Sequence, residues 1–335
     1  MQGWLRVIEV NEHQCFKLAE MIKEIRIGYE KTLTKPLLES QENALRLFFY
    51  YMAINYDTRG ISGYVNGRYY RGSEYLYHVM RKQIEANPQT FNADAMVSLT
   101  LESFKNWFGG PEFCEVRRPA ERITLLRNAA EALQRRYKGN VSNLLEESQG
   151  FIEGETGLKK RLSEIKAFND PLAKKTMVLL LFLHYEELFK IRDPENVTAG
   201  IDYHLQRIAL RSGKVEVLDD RLERKLKLRR FVSREERHKI RKVCLGAYTL
   251  IGQRLKWCMI DLDQLFWQIG RNCCFYTHPP FCGERVCENK FCTLVENSNY
   301  QCGGGGKCPL DGACKASLDN RYVRFFEPKV ITYYY

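Results

Sequence analysis

The stretch LAKKTMVLLLFLHYEELFK, residues 172–190, is apolar on nearly every face through its middle. A helix with no polar face has to be enclosed by other elements. These residues therefore predict a central, buried helix, and the rest of the chain has to supply amphipathic partners for it. The run from Met177 to Tyr185 is too short to span a bilayer and is flanked by charge, and no other run approaches the length that a membrane helix needs. The first residues, MQGWLRVIEVNEH, lack the basic start, apolar stretch and small-residue site of a secretory leader. The expectation is an intracellular, cytoplasmic protein with no membrane partner.

Partner helices are easy to find. QENALRLFFYYMAINY repeats apolar residues at i, i+3, i+4 and i+7. RPAERITLLRNAAEALQRRY has Pro119 in its first turn and stops before Gly139. Ser233 to Glu236, SREE, is a capping-box pattern that opens a long helix. DLDQLFWQIGRNC forms another helix with one apolar face. In GIDYHLQRIALRSG, Asp202 stands where a helix N-cap belongs, and Leu205, Ile208 and Ala209 follow at helical spacing. Strand signals are few: GYVNGRYYRG, residues 63–72, reads as a hairpin turning at Asn66–Gly67, and the last residues, RYVRFFEPKVITYYY, read as extended. The fold class expected is mainly α.

The 335 residues carry a formal net charge of +11. A polyanion is the commonest partner for such a surface. The densest basic stretch, residues 221–242, serves equally as a solvated helical face or as a phosphate contact.

Of twelve cysteines, eight lie between Cys273 and Cys314, in a segment rich in Gly and Pro that can hold little regular structure. In an intracellular chain such crowding points to metal rather than disulfides. Thiolates at short spacing converge on a zinc ion or on a [4Fe–4S] cluster, and the metal replaces the core that the loop lacks.

Two landmarks carry a resemblance. IDYHLQR, residues 201–207, resembles the VDTHxxR segment of the helix-hairpin-helix/GPD DNA glycosylase superfamily, and CPLDGAC, residues 308–314, looks like the C-x5-C end of the iron–sulfur loop of endonuclease III and adenine glycosylases. Their order and separation also match. The Leu-Pro-Gly-x-Gly hairpin is missing, however. The closer likeness is to the archaeal 8-oxoguanine glycosylase branch, where Lys-Thr followed by an apolar helix precedes the Asp, as Lys175–Thr176 precede Asp202. NYD…RGSEYL (residues 55–76) and RRPAERITLLRNA (residues 117–129) resemble segments of the same branch.

The resemblance implies a two-lobed helical DNA-glycosylase fold with a C-terminal cysteine-rich metal-binding loop. Its parts would be a helical core with the catalytic cleft over residues 1–270, a metal-cluster loop over 271–320 and a tail over 321–335. Implied activities are excision of an 8-oxoguanine-like base from double-stranded DNA, flipped out of the duplex, and AP-lyase strand cleavage, by a monomeric, nucleoid-associated enzyme. Asp202 would stabilise the sugar cation. Lys175, with Lys174 as the alternative, would attack C1′ as a desolvated amine. His204 and His184 read as packed structural residues.

For the cluster the resemblance implies Cys274, Cys302, Cys308 and Cys314, with Cys282 as the alternative second ligand. Cys282, Cys287 and Cys292 would build an alternative or additional zinc site, with His278 or Cys273. Arg285 and Lys290 would face DNA, and Tyr56, Tyr69 and Tyr70 are candidates for stacking on a base. Two other functions stay open: a glycosidase acting on a modified base, such as a deazaguanine, in RNA or a nucleotide, and a non-catalytic nucleic-acid-binding metalloprotein.

Overall fold

The structure is a computed structural model that describes residues 7–34, 37, 39–110, 115–276, 282, 287, 289, 292–302 and 307–335. It is mainly helical, and no described helix is long and apolar enough to cross a membrane. The chain divides into two compact units, one of Met1–Glu30 with Thr198–Ile331 and one of Lys31–Val197 with Thr332–Tyr335.

In the second unit the predicted central helix runs Lys174–Tyr185, with most of its residues buried. It packs on the helix Gln41–Ile54, which is capped by the Ser40 hydroxyl and buried along most of its length. That helix also contacts Pro119–Tyr137, Ser73–Ala86 and Val141–Glu147. Glu42 in its first turn accepts the free N–H groups of Val141 and Ser142 at 2.8 and 3.0 Å, so one carboxylate fixes the start of a second helix. The expected hairpin is present as Ser62–Val65 paired antiparallel with Arg68–Arg71. Asn66 and Gly67 both adopt positive φ, as the two-residue turn requires.

The first unit is built on Arg234–Leu255, which opens with the capping box: Ser233 accepts from the Glu236 N–H, and Glu236 accepts from the Ser233 N–H. Glu12–Ile22 and Tyr203–Ser212 pack against it, and Met259–Asn272 packs against both Tyr203–Ser212 and Arg234–Leu255. Their common core includes Leu18, Ile22, Leu205, Ile208, Tyr248, Leu265 and Phe266. A strand pair absent from the sequence-based expectation joins Ile8–Val10 to Val215–Val217, antiparallel, with Glu9 opposite Glu216. The C-terminal segment departs from the extended form expected of it. It makes a short helix, Asn320–Val323, and then a parallel bridge between Lys329 and Phe231.

Tyr203–Ser212 and Met259–Asn272 approach closely at Gly270. A Cβ added there would lie 2.7 Å from the Cβ of His204. His204 therefore holds the packed, structural place expected of it. Gly270→Ala is expected to lower stability by about 1–3 kcal/mol, because a stem atom rather than a mobile tip stands in the way. A urea unfolding midpoint unchanged from the native chain would contradict this packing.

Candidate active site

Asp202 ends an extended segment and begins the helix Tyr203–Ser212. Its side chain is buried, and its Oδ1 accepts the Leu205 N–H at 3.0 Å. The segment leading to it is fixed from two sides. The Gly200 N–H donates to Asp263 Oδ2 at 2.6 Å, and the Ile201 carbonyl accepts from Arg241 Nε and Nη2 at 3.2 and 3.1 Å. A carboxylate at a helix N-terminus is favoured by the exposed N–H groups there, and this one is also held at a defined position.

One turn on, Arg207 is fully buried. Its Nε donates to the Cys274 carbonyl at 2.6 Å, Nη1 pairs with Glu327 at 2.9 Å and Nη2 donates to the Gly270 carbonyl at 2.9 Å. Burial alone would depress this guanidinium, but Glu327 overcomes that and holds it above its ordinary value. Arg211, a further turn along, donates Nη1 to the Phe275 carbonyl at 2.6 Å and lies 3.4 Å from Cys274 Sγ, while its Nη2 has no hydrogen-bond partner.

Lys214, just past the Gly213 cap, is the residue that sequence reasoning missed. It is buried with its Nζ unbonded, 3.5 Å from the ring centroid of Tyr248 and 3.7 Å from that of Phe266. Desolvation pulls its amine down to about 7, against the opposing influence of the Cys15, Cys244, Cys314 and Cys274 thiols. A Lys directly after a helix-ending Gly reads as an exposed turn, so no local signal marks it.

Lys175 lies in the second unit, on the first turn of Lys174–Tyr185. The Asp170 carboxylate accepts the Lys174 N–H at 3.0 Å, ahead of a helix start whose cap residue, Ala173, has φ 49°. The Lys175 side chain is completely buried, and Nζ donates to the Ala53 carbonyl at 2.6 Å. It sits 5.0 Å above the ring of Tyr56, which is also flanked by Arg122 at 4.2 Å and Arg118 at 4.7 Å. Burial, then Lys174 and Arg122, lower its amine well below the ordinary lysine value. Lys174 beside it is also buried.

The remaining candidates divide. Tyr56 is buried, Tyr69 is exposed against Tyr64 on the hairpin, and Tyr70 stacks on His78 at 3.7 Å. Part of the basic stretch is neutralised: Lys225 pairs with Glu236, and Lys227 and Arg321 pair with Glu223. His278, Arg285 and Lys290 lie outside the described residues. Among the described residues no group of three or more His, Cys, Asp or Glu side chains is arranged, as it stands, to hold a metal ion.

The sequence model of a family described as queuosine salvage protein matches residues 47–273. No curated protein matches the chain. The matched span contains both Lys175 and Asp202 and stops where the cysteine segment begins.

This match overturns the resemblance to helix-hairpin-helix/GPD DNA glycosylases. With it fall excision of an 8-oxoguanine-like base from DNA, AP-lyase activity and a role in DNA repair. The iron–sulfur character borrowed from the endonuclease III-like loop has no support either. The physical reason lies in the motifs. IDYHLQR records a capped helix start, a histidine packed on a glycine and a buried arginine pair. Any helix held this way needs those residue types, so they identify a mode of packing rather than a substrate.

One titration follows from the buried amine. A lysine whose folded value lies below its unfolded one costs stability while the unfolded chain is protonated, and the cost fades as pH rises toward the unfolded value. Over the pH units just below the unfolded lysine value of about 10.4 the native chain is therefore expected to gain stability relative to Lys175→Met, by at most about 1.4 kcal/mol per pH unit. Paired denaturant titrations across that range measure it; a pH-independent difference would mean that the amine is charged in the folded state.

Proposed function

Because the chain belongs to the queuosine salvage protein family, we propose that it is an N-glycosidase that hydrolyses the bond between the modified base and ribose of queuosine, taken as a nucleoside or nucleotide. The observation that carries this reading is Asp202, a buried carboxylate fixed at a helix start within the matched span. The net charge of +11 favours a phosphate-bearing form of the substrate.

The chemistry suits a carboxylate. As the C1′–N9 bond breaks, its electron pair leaves with the base and positive charge develops at C1′. A fixed carboxylate stabilises that charge without having to reorganise. Water then adds to C1′, its proton passing to Asp202 or onward to the departing base. The base of queuosine is a 7-deazaguanine, with carbon where guanine has N7, so protonating N7 cannot assist departure. More of the catalytic work then falls on the sugar side, where a carboxylate acts.

Hydrolysis needs no amine nucleophile and no strand cleavage, so Lys175 takes a different part. Its desolvated amine, held on the Ala53 carbonyl beside Tyr56, fixes the start of the central helix as a positioning residue.

Asp202→Asn is expected to lower the rate of base release from queuosine and its 5′-monophosphate by about 100-fold or more, with nucleotide binding retained. Chromatographic detection of the free base measures the rate. Full turnover by Asp202→Asn would remove the carboxylate from the mechanism, and no release by the native chain from either substrate would remove the glycosidase reading itself. Borohydride should trap no covalent adduct through Lys175.

A further inference from the structure

We propose that the basic edge formed by the helix Asp220–Lys227 and the opening turns of Arg234–Leu255 is a docking surface for single-stranded nucleic acid, with arginine and lysine side chains on its phosphates and the ring of Phe231 under one of its bases. The inference goes beyond the base-releasing reaction and does not rest on it.

Residues 221–242 hold eleven Lys and Arg against three Glu, so they supply +8 of the chain's net +11. The fold uses only part of this surplus. Arg241 turns inward onto the Ile201 carbonyl, and the Arg229 guanidinium lies 3.8 Å from the ring centroid of Phe326. Glu236 pairs with Lys225 at 2.6 Å, and Glu223 pairs with Lys227 at 2.5 Å and with Arg321 at 2.8 Å. Six cations remain. Arg221, Arg224, Arg230, Arg234, Lys239 and Lys242 are all exposed, and none has an ion pair or a side-chain hydrogen bond among the described residues. Like charges gathered without partners repel one another, and an anion docking across them relieves that repulsion.

The edge is fixed in place. The Lys225–Glu236 pair joins the two helices, and Glu236 also closes the capping box of the second with Ser233. Cations on both helices are therefore carried by one rigid support. On the second helix Arg234, His238 and Lys242 recur every four residues, which sets them along one face about 6 Å apart. A row of this kind tracks an extended phosphate backbone rather than gripping a single small anion.

Phe231 supplies the independent observation. It lies in the link between the helices and is 53% exposed, beside Leu228 at 56%. Its backbone bridges to Lys329, the Val232 N–H donates to the Lys329 carbonyl at 3.3 Å, and Lys329 Nζ lies 4.7 Å from the Phe231 ring centroid. An aromatic ring held half-exposed among cations is what an unpaired base stacks on while its phosphates meet the charges.

Other anionic partners fit less well. A lipid surface takes an amphipathic helix whose apolar side is free, whereas Leu222 and Leu226 of Asp220–Lys227 are already buried in the core. An acidic peptide supplies charge but not the flat base that suits the Phe231 ring. Four of the six unpaired cations are arginines, whose planar fork takes phosphate through two parallel hydrogen bonds.

Fluorescence anisotropy of the full chain with a labelled single-stranded RNA of about 16 nucleotides tests the surface. Affinity is expected to fall as salt rises, with a log–log slope of about −0.7 for each phosphate neutralised. Replacing both Arg230 and Arg234 by Ala should weaken binding about tenfold and flatten that slope by about 1.4. Since neither arginine makes a side-chain bond, the double variant should keep the native urea midpoint. Phe231→Ala should weaken binding about tenfold with the slope unchanged, and Phe231→Tyr should restore it. Arg136→Ala, at an exposed arginine of the second unit paired with Glu164, should bind as the native chain does. No RNA binding at physiological salt, an affinity that either the double variant or Phe231→Ala leaves unchanged, or equal affinity for poly-glutamate or for phosphatidylserine vesicles would each overturn the proposal.

Discussion

The buried guanidinium of Arg207 holds the first unit together. Its donors reach the end of one helix at Gly270, the start of the cysteine segment at Cys274 and the C-terminal region at Glu327. Removing such a charge from water costs several kcal/mol, and only a full set of partners recovers it. Here the partners come from parts of the chain far apart in sequence, so the set is complete only when the unit is folded. The helix that carries Asp202 at its start inherits its position from this arrangement.

Much of the fold was legible because it rests on local chemistry. The Gln41, Pro119 and Lys174 helices, the Ser233 capping box and the Asn66–Gly67 turn are each written within a few residues. The Asp202 cap was legible for the same reason. What was not legible is non-local. The strand Ile8–Val10 is too short to announce itself and exists only because Val215–Val217 lies beside it. The environment of Lys214 is made by two rings on other helices. The burial of Lys175 was anticipated because the apolar run that encloses it is contiguous with it.

The functional assignment failed in an instructive place. The residues singled out, Lys175 and Asp202, lie within the matched family span, yet the substrate inferred from them was wrong. A capped carboxylate at Asp202 and a desolvated amine at Lys175 are each defined by their local surroundings. Such local features do not name a substrate.

The way the chain threads its two units bears on how it is made. Nearly all of the second unit is one continuous span, Lys31–Val197, whereas the first combines Met1–Glu30 with Thr198–Ile331. On a ribosome the continuous span can condense as it emerges, while Ile8–Val10 waits, unpaired, for a strand translated some two hundred residues later. The early segment thus finds its partner only after the whole of the continuous span has been made, and a nascent chain stalled before Val215 would leave that strand unpaired.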